Sequence, residues 1–208
     1  MLKLQIGAGL EGPPSWTNLD ASPVLRLQRL PIVGVFLRRF VAPAFSPRVQ
    51  YGDVTRRLPV DDGAADMVYS SHMLEHLALR EFELALAEIH RVLARGGVFR
   101  SVLPDLELEA RRYLASTAAD RASDFLRSTL LGVEHRERGL VQALRAWMGY
   151  SGHKWMWDYI SIANQLNRAG FVDVRRASIG DSALAAFREV ENSERWQDCL
   201  GFECRKPA

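Results

Sequence analysis

Residues Leu2-Lys3-Leu4-Gln5-Ile6 read as a short buried strand, and Gly7-Ala8-Gly9 follows at once. No other stretch constrains the chain as much. In open α/β sheets, a strand running into a glycine-spaced turn lets the backbone approach a nucleotide-like ligand, because side chains at those positions would fill the space. Alone, the pattern admits any nucleotide. The dinucleotide version asks for a helix directly after the turn and an acid about twenty residues on. Here Pro13 and Pro14 fall where that helix belongs, and proline is poorly tolerated in a helix interior. The next strand, Trp16-Thr17-Asn18-Leu19-Asp20, ends in its acid too early. A nicotinamide oxidoreductase therefore fits less well.

Further short strands follow, ending at Tyr51 (then Gly52-Asp53), at Ser70 (then Ser71-His72) and at Leu103 (then Pro104-Asp105). Apolar residues Phe82, Leu86, Ile89 and Leu93 recur with helical spacing, which predicts a helix over about 79–93, closed by Gly96-Gly97. Further helices are expected within 106–154 and over 155–168, then strands over 171–179 and 200–205. Each polar candidate follows a strand. In a parallel open sheet that edge is where ligands bind.

Residues 24–45 stand apart. Between Asp20 and Asp53 there is no acid, yet there are five arginines, at 26, 29, 38, 39 and 48, interleaved with apolar residues. One reading is a basic-apolar flap that meets an anionic amphiphile or makes a peripheral membrane contact. The other is an extra helix pair with solvated arginines.

Composition sets limits. At 208 residues and 48% hydrophobic, one domain spanning 1–208 can bury a sizeable core. Lys and Arg number 27 against 25 Asp and Glu, a balance that gives no electrostatic footprint for nucleic acid, so no nucleic-acid partner is expected. Cys199 and Cys204 have an odd offset on one strand, which puts them on opposite faces and argues against a bridge. A reduced, cytoplasmic setting is expected, with no leader ahead of a strand that starts at residue 2.

An acid ending the second strand is placed to accept both hydroxyls of a ribose. An acid after the third can accept from an adenine amino group. No GxxxxGK[ST] phosphate loop is present. The arrangement is an adenosine site without phosphate-binding parts.

With these residues together, the chain resembles the class I S-adenosylmethionine-dependent methyltransferases, in particular a small bacterial type 11-like group. The resemblance is carried by Lys3 to Gly9, Trp16 to Asp20, Tyr51-Gly52-Asp53-Val54, Leu58-Pro59-Val60, Ala65 to Leu77, Arg91 to Val98 and Leu103 to Leu106. It implies an α/β, Rossmann-like, seven-stranded, mostly parallel sheet with the last strand antiparallel and helices on both faces. The helical insertion at 24–45 and a helical substrate-side region at 106–154 would elaborate it. It implies S-adenosylmethionine as cofactor, with Gly7 and Gly9 flanking the methionine part, Asp20 on the ribose and Asp53 on the adenine. Ala8, Val54, Ser70 and Ser71 would lie along the same ligand. The family often has an acid two residues before the first glycine. Here Gln5 stands there, an acceptor without charge.

Methyl transfer from a sulfonium needs positioning, and a base where the acceptor holds a proton. His72, just past the fourth strand, is the expected base, or else a histidine that hydrogen-bonds the next helix. His153, beside Trp155 and Trp157, is a second catalytic candidate, with Trp155 lining an acceptor pocket or simply packing. Asp105 binds substrate or caps the following helix. Glu75 and His76 read as helix-start and packing residues. His72 and His76 are four apart without a third ligand, so no metal is expected. The expected reaction is methyl transfer to a small-molecule, sugar or lipid-linked glycan acceptor, at oxygen. The alternative is a catalytically inactive methyltransferase-like binding module.

Overall fold

The computed structural model describes residues 1–31, 34–35, 44–133 and 152–208. The parts of the basic-apolar insertion at 32–33 and 36–43, and residues 134–151 of the substrate-side region, lie outside the described residues.

Seven strands form one sheet in the order β3-β2-β1-β4-β5-β7-β6. They are β1 (Leu2–Ile6), β2 (Thr17–Asp20), β3 (Val49–Tyr51), β4 (Ala65–Ser71), β5 (Leu93–Pro104), β6 (Val172–Ala177) and β7 (Cys199–Arg205). β3, β2, β1, β4 and β5 run parallel. β7 is antiparallel to both β5 and β6. The order reverses between β1 and β4, which is the switch point where open sheets leave a crevice. Register there sets Ile6 beside Ser70, so the turns after β1 and β4 emerge side by side.

The central strands alternate between two buried faces. On one face, Val68, Phe99 and Leu103 pack with Leu4, Ile6 and Leu19. α2 (Leu79–Val92) and α5 (Tyr159–Arg168) cover that face with Phe82, Leu86, Ile89, Ile162 and Leu166. On the other face, Met67, Tyr69, Val98 and Val102 meet Trp16, Phe187 and Trp196. Phe187 and Trp196 come from a 3-10 turn (Ala185–Glu189) and the short α6 (Ser193–Trp196). α1 (Pro23–Gln28) has proline in its first turn and buries Val24 and Leu25. α3 (Leu106–Ala115) and α4 (Arg121–Ser128) pair beyond β5.

Two expected boundaries move. α2 stops at Val92, and Leu93 is already extended and pairs with Ala65. Gly96-Gly97 therefore sits in an irregularity of β5 between the Leu93 and Val98 pairings rather than at the helix end. The spacing continued to Leu93 because that residue is also buried, only on the strand. The late helix starts at Tyr159 rather than Trp155: Asp158 accepts from Ser161 N at 2.7 Å and caps it. Trp157 instead forms a bridge with Asp105.

On the second face lies a charged knot. Arg100 of β5 is fully buried. Its guanidinium meets Glu191 at 2.6 Å, Asp181 at 2.9 Å and Glu203 at 3.2 Å, and donates to Ser178 O at 2.6 Å. The Trp196 ring lies 4.7 Å from its carbon. This one side chain ties β5 to the loop after β6, to β7, and to the segment leading into α6. Burial works to raise the Asp181 pKa, but hydrogen bonds from Arg175, Ser178 and Arg100 outweigh it and bring it down to about 2.

Replacing Arg100 strands buried carboxylates. Arg100→Met is expected to cost about 3–5 kcal/mol in denaturant unfolding; a loss below about 1 kcal/mol would mean the knot is energetically idle. The Asp181 contribution is present above its ordinary pKa of 3.8 and is lost as pH falls through about 2. Asp181→Asn should therefore flatten the acid limb of the stability curve in that window. An unchanged limb would show that Asp181 does not carry it.

Candidate active site

At the switch point a cavity of about 430 Å³ opens between the turns after β1, β2, β3 and β4. That volume lies in the range of small-molecule sites. Gly7 and Gly9 have φ of +68° and +67°, a region costly for residues with a Cβ. A Cβ on Gly7 would lie 2.8 Å from Met73 Cγ, whereas at Gly9 it would meet nothing within 4 Å. Gly7 thus admits Met73, and Gly9 presents bare backbone to the cavity that both line.

Asp20 ends β2 at the cavity wall. One carboxylate oxygen accepts from Gly9 N at 2.9 Å and the other from Ser22 N at 2.8 Å. The glycine turn and the acid therefore hold each other in place, and each oxygen keeps a lone pair for a ligand. Burial pushes the Asp20 pKa up, opposed by those two hydrogen bonds. Asp53 also lines the cavity. Its Oδ1 accepts from Thr55 N and Thr55 Oγ1 at 3.0 and 2.6 Å, and its Oδ2 lies 3.4 Å from Arg56 Nε.

Of the other cofactor candidates, Val54 and Ser71 line the cavity. Gln5, Ala8 and Ser70 do not. Ser70 is fully buried and its hydroxyl pairs with that of Ser101 at 2.8 Å. Gln5 Oε1 is buried with no hydrogen-bond partner among the described residues.

His72 lines the cavity with φ +49°, a region that histidine enters more readily than most residues. Its Nε2 is 2.8 Å from Arg195 O and 3.8 Å from Cys199 Sγ, and its Nδ1 is 3.3 Å from Glu75 Oε1. Hydrogen bonds with Cys199 and then Glu75 push the imidazole up to about 10, against desolvation. The ring as arranged holds a proton at neutral pH. Arg195, which the sequence reading missed, lines the cavity and reaches Ser71 O at 3.2 Å. It arrives from α6, and no local pattern links it to β4.

His153 is drawn beside the turn Leu74–His76. Lys154 N and Trp155 N both donate to Glu75 O, at 2.8 and 3.2 Å. Its ring stands 5.1 Å from that of His76, and burial pushes its pKa down. His76 lines the cavity, whereas His153 lies behind it. Asp105 caps α3, accepting from Glu107 N at 2.9 Å and Leu108 N at 3.3 Å. Trp155 is 41% exposed and stands 6.0 Å from the Trp157 ring. Neither lines the cavity. The described part of the insertion contributes Phe45 to the wall, beside Pro23 just ahead of it. Arg26 covers the Tyr51 ring at 4.8 Å, and Arg29 donates to Ser46 O and Val49 O.

The strand order and this cavity define the class I methyltransferase architecture. Residues 17–101 match the family model described as a methyltransferase domain. β1 and its glycine turn lie ahead of that match. Residues 17–101 therefore carry a methyltransferase domain, and the fold is the one expected from the residues. No curated protein matches the sequence. A SAM-dependent methyltransferase of Thermotoga maritima shares the fold at 16% identity and TM-score 0.53, over 99% of this chain and 82% of that one. A complex between the Haloferax volcanii Trm112 methyltransferase activator and a methyltransferase gives 16% and 0.50, over 100% and 83%. The CMeT domain of the citrinin polyketide synthase gives 13% and 0.52, over 100% of this chain but 46% of that one. No helix among the described residues is long and apolar enough to cross a membrane.

The bare Gly9 backbone, the free lone pairs of Asp20 and the cavity volume fit an adenosine-bearing methyl donor. Asp20→Ala is expected to weaken S-adenosylhomocysteine binding by about tenfold to a hundredfold in calorimetric titration, the scale of hydrogen bonds to a charged group. Unchanged affinity would take Asp20 out of the site.

Proposed function

We propose that the chain, as a single domain over 1–208, methylates a hydroxyl oxygen of a small-molecule, sugar or lipid-linked glycan acceptor. The observation that carries this reading is the cavity's composition: cofactor-type groups lined together with Phe45 of the basic-apolar insertion. An insertion that walls the cavity is suited to select the acceptor, and its arginines suit an anionic or lipid-linked one.

S-adenosylmethionine supplies the electrophilic methyl group, and the protein supplies position. On this reading Gly7, Gly9, Asp20, Asp53, Val54 and Ser71 hold the donor. His72 stands on the acceptor side, with Glu75 fixing its ring and Arg195 beside it. We assign to His72 the handling of the acceptor's proton; to act as a base it must first give up the proton that its partners favour. Residues 106–154, which bring His153 to the back of that wall, form the substrate side.

His72→Ala is expected to leave S-adenosylhomocysteine binding intact and to slow turnover by at least about a hundredfold, the scale of a proton-transfer group. Turnover near that of the unaltered chain would remove the assignment. If the chain binds the cofactor yet methylates nothing in a screen of hydroxylated acceptors with methyl-labelled S-adenosylmethionine, the alternative of a non-catalytic binding module, to which the uncharged Gln5 is suited, takes its place.

A further inference from the structure

We propose that Glu75, His76 and His153 bind a divalent transition-metal ion of the zinc class at the inner wall of the cavity. One ligand atom from each residue falls within a set whose members all lie within 4.8 Å of one another. Around zinc, donors at about 2.1 Å stand ~3.4 Å apart, so these atoms would close by ~1.4 Å at most. Two imidazoles and a carboxylate are a zinc ligand set, and three protein ligands leave one position open for water or substrate.

The orphaned atoms point the same way. Glu75 is fully buried, and neither carboxylate oxygen has an aligned hydrogen-bond partner among the described residues. His72 Nδ1 at 3.3 Å and His153 Nε2 at 4.0 Å approach Oε1. His76 Nδ1 is also buried without a partner among the described residues. His72 meets only Oε1 of this buried carboxylate, and a shared ion would compensate it further. A buried carboxylate with two imidazoles beside it is a set that an ion could bridge.

The backbone builds the cluster. Glu75 O receives both Lys154 N and Trp155 N, and His153 N donates to Leu130 O at 3.1 Å. His153 is therefore pinned from two sides against a turn far away in the chain. His76 also lines the cavity, so the ion would stand in the wall that faces the acceptor. Resting on the function proposed above, it would lower the pKa of an acceptor hydroxyl bound to its open position.

The test reads metal binding without turnover. The untagged full chain is stripped with chelator, desalted and titrated with Co2+, then Zn2+. One equivalent of Co2+ with visible ligand-field bands, displaced by Zn2+, is expected. Glu75→Gln and His153→Asn, checked for folding by S-adenosylhomocysteine binding, should weaken it by more than about a hundredfold, beyond what outer-sphere changes cost. In NMR of the unaltered chain, the ring signals of His76 and His153 should shift together on Zn2+ addition while those of His90 stay put, an arm that needs no variant. Absence of stoichiometric binding, bands that survive both substitutions, or shifts confined to other histidines would overturn the site. Intact cofactor binding and methyl transfer in that case would leave the proposed reaction standing.

Discussion

The parallel pairing of β1 with β4 is the contact on which the rest of the molecule depends. Ile6 lies beside Ser70, so the two chains leave the sheet together and diverge at one point. Gly7 to Gly9 turn one way, toward Asp20. Ser71 and His72 turn the other, toward Glu75. A slip of one residue would reverse the faces of the strand. It would turn Val68 away from Leu4 and Ile6, so the hydrophobic pattern that builds the core also aligns the site. Packing specificity and chemistry share one register.

Around that edge the polar groups are divided by how they are satisfied. Asp20 is held by two backbone amides and retains acceptor capacity, as suits a group that waits for hydroxyls. Arg100, on the opposite face, is saturated: three carboxylates, a carbonyl and an aromatic ring surround it. That knot makes α6 a rigid platform, and α6 is the element that delivers Arg195 and the carbonyl that meets His72. The charged cluster under the sheet therefore does more than add stability, because the Arg195 and His72 side of the cavity is hung from it.

Much of the fold was legible because its signals are local. The short apolar runs of β4 and β5, helical spacing in α2, the strand–glycine turn and the acids after β2 and β3 each depend on a few adjacent residues. The strand order followed from a resemblance built on those pieces. Where local reading failed, two structures competed for one pattern. Leu93 satisfies the helical period of α2, yet it pairs with Ala65 as strand. Trp155 to Trp157 could extend α5, yet Asp158 caps it and Trp157 bridges to Asp105.

The site divides along the same line. The sequence by itself brought Gly7, Gly9, Asp20 and Asp53 to one edge, because each sits one turn beyond a strand and the backbone alone carries it there. Only the tertiary structure decided the other cavity-side groups. Arg195 reaches Ser71, and His153 reaches Glu75, across long stretches of chain. No periodicity encodes such meetings. They exist because β7 and β6 return antiparallel beside β5 and bring α6 back over the sheet edge, and because the carbonyl of Glu75 pins the 152–157 loop.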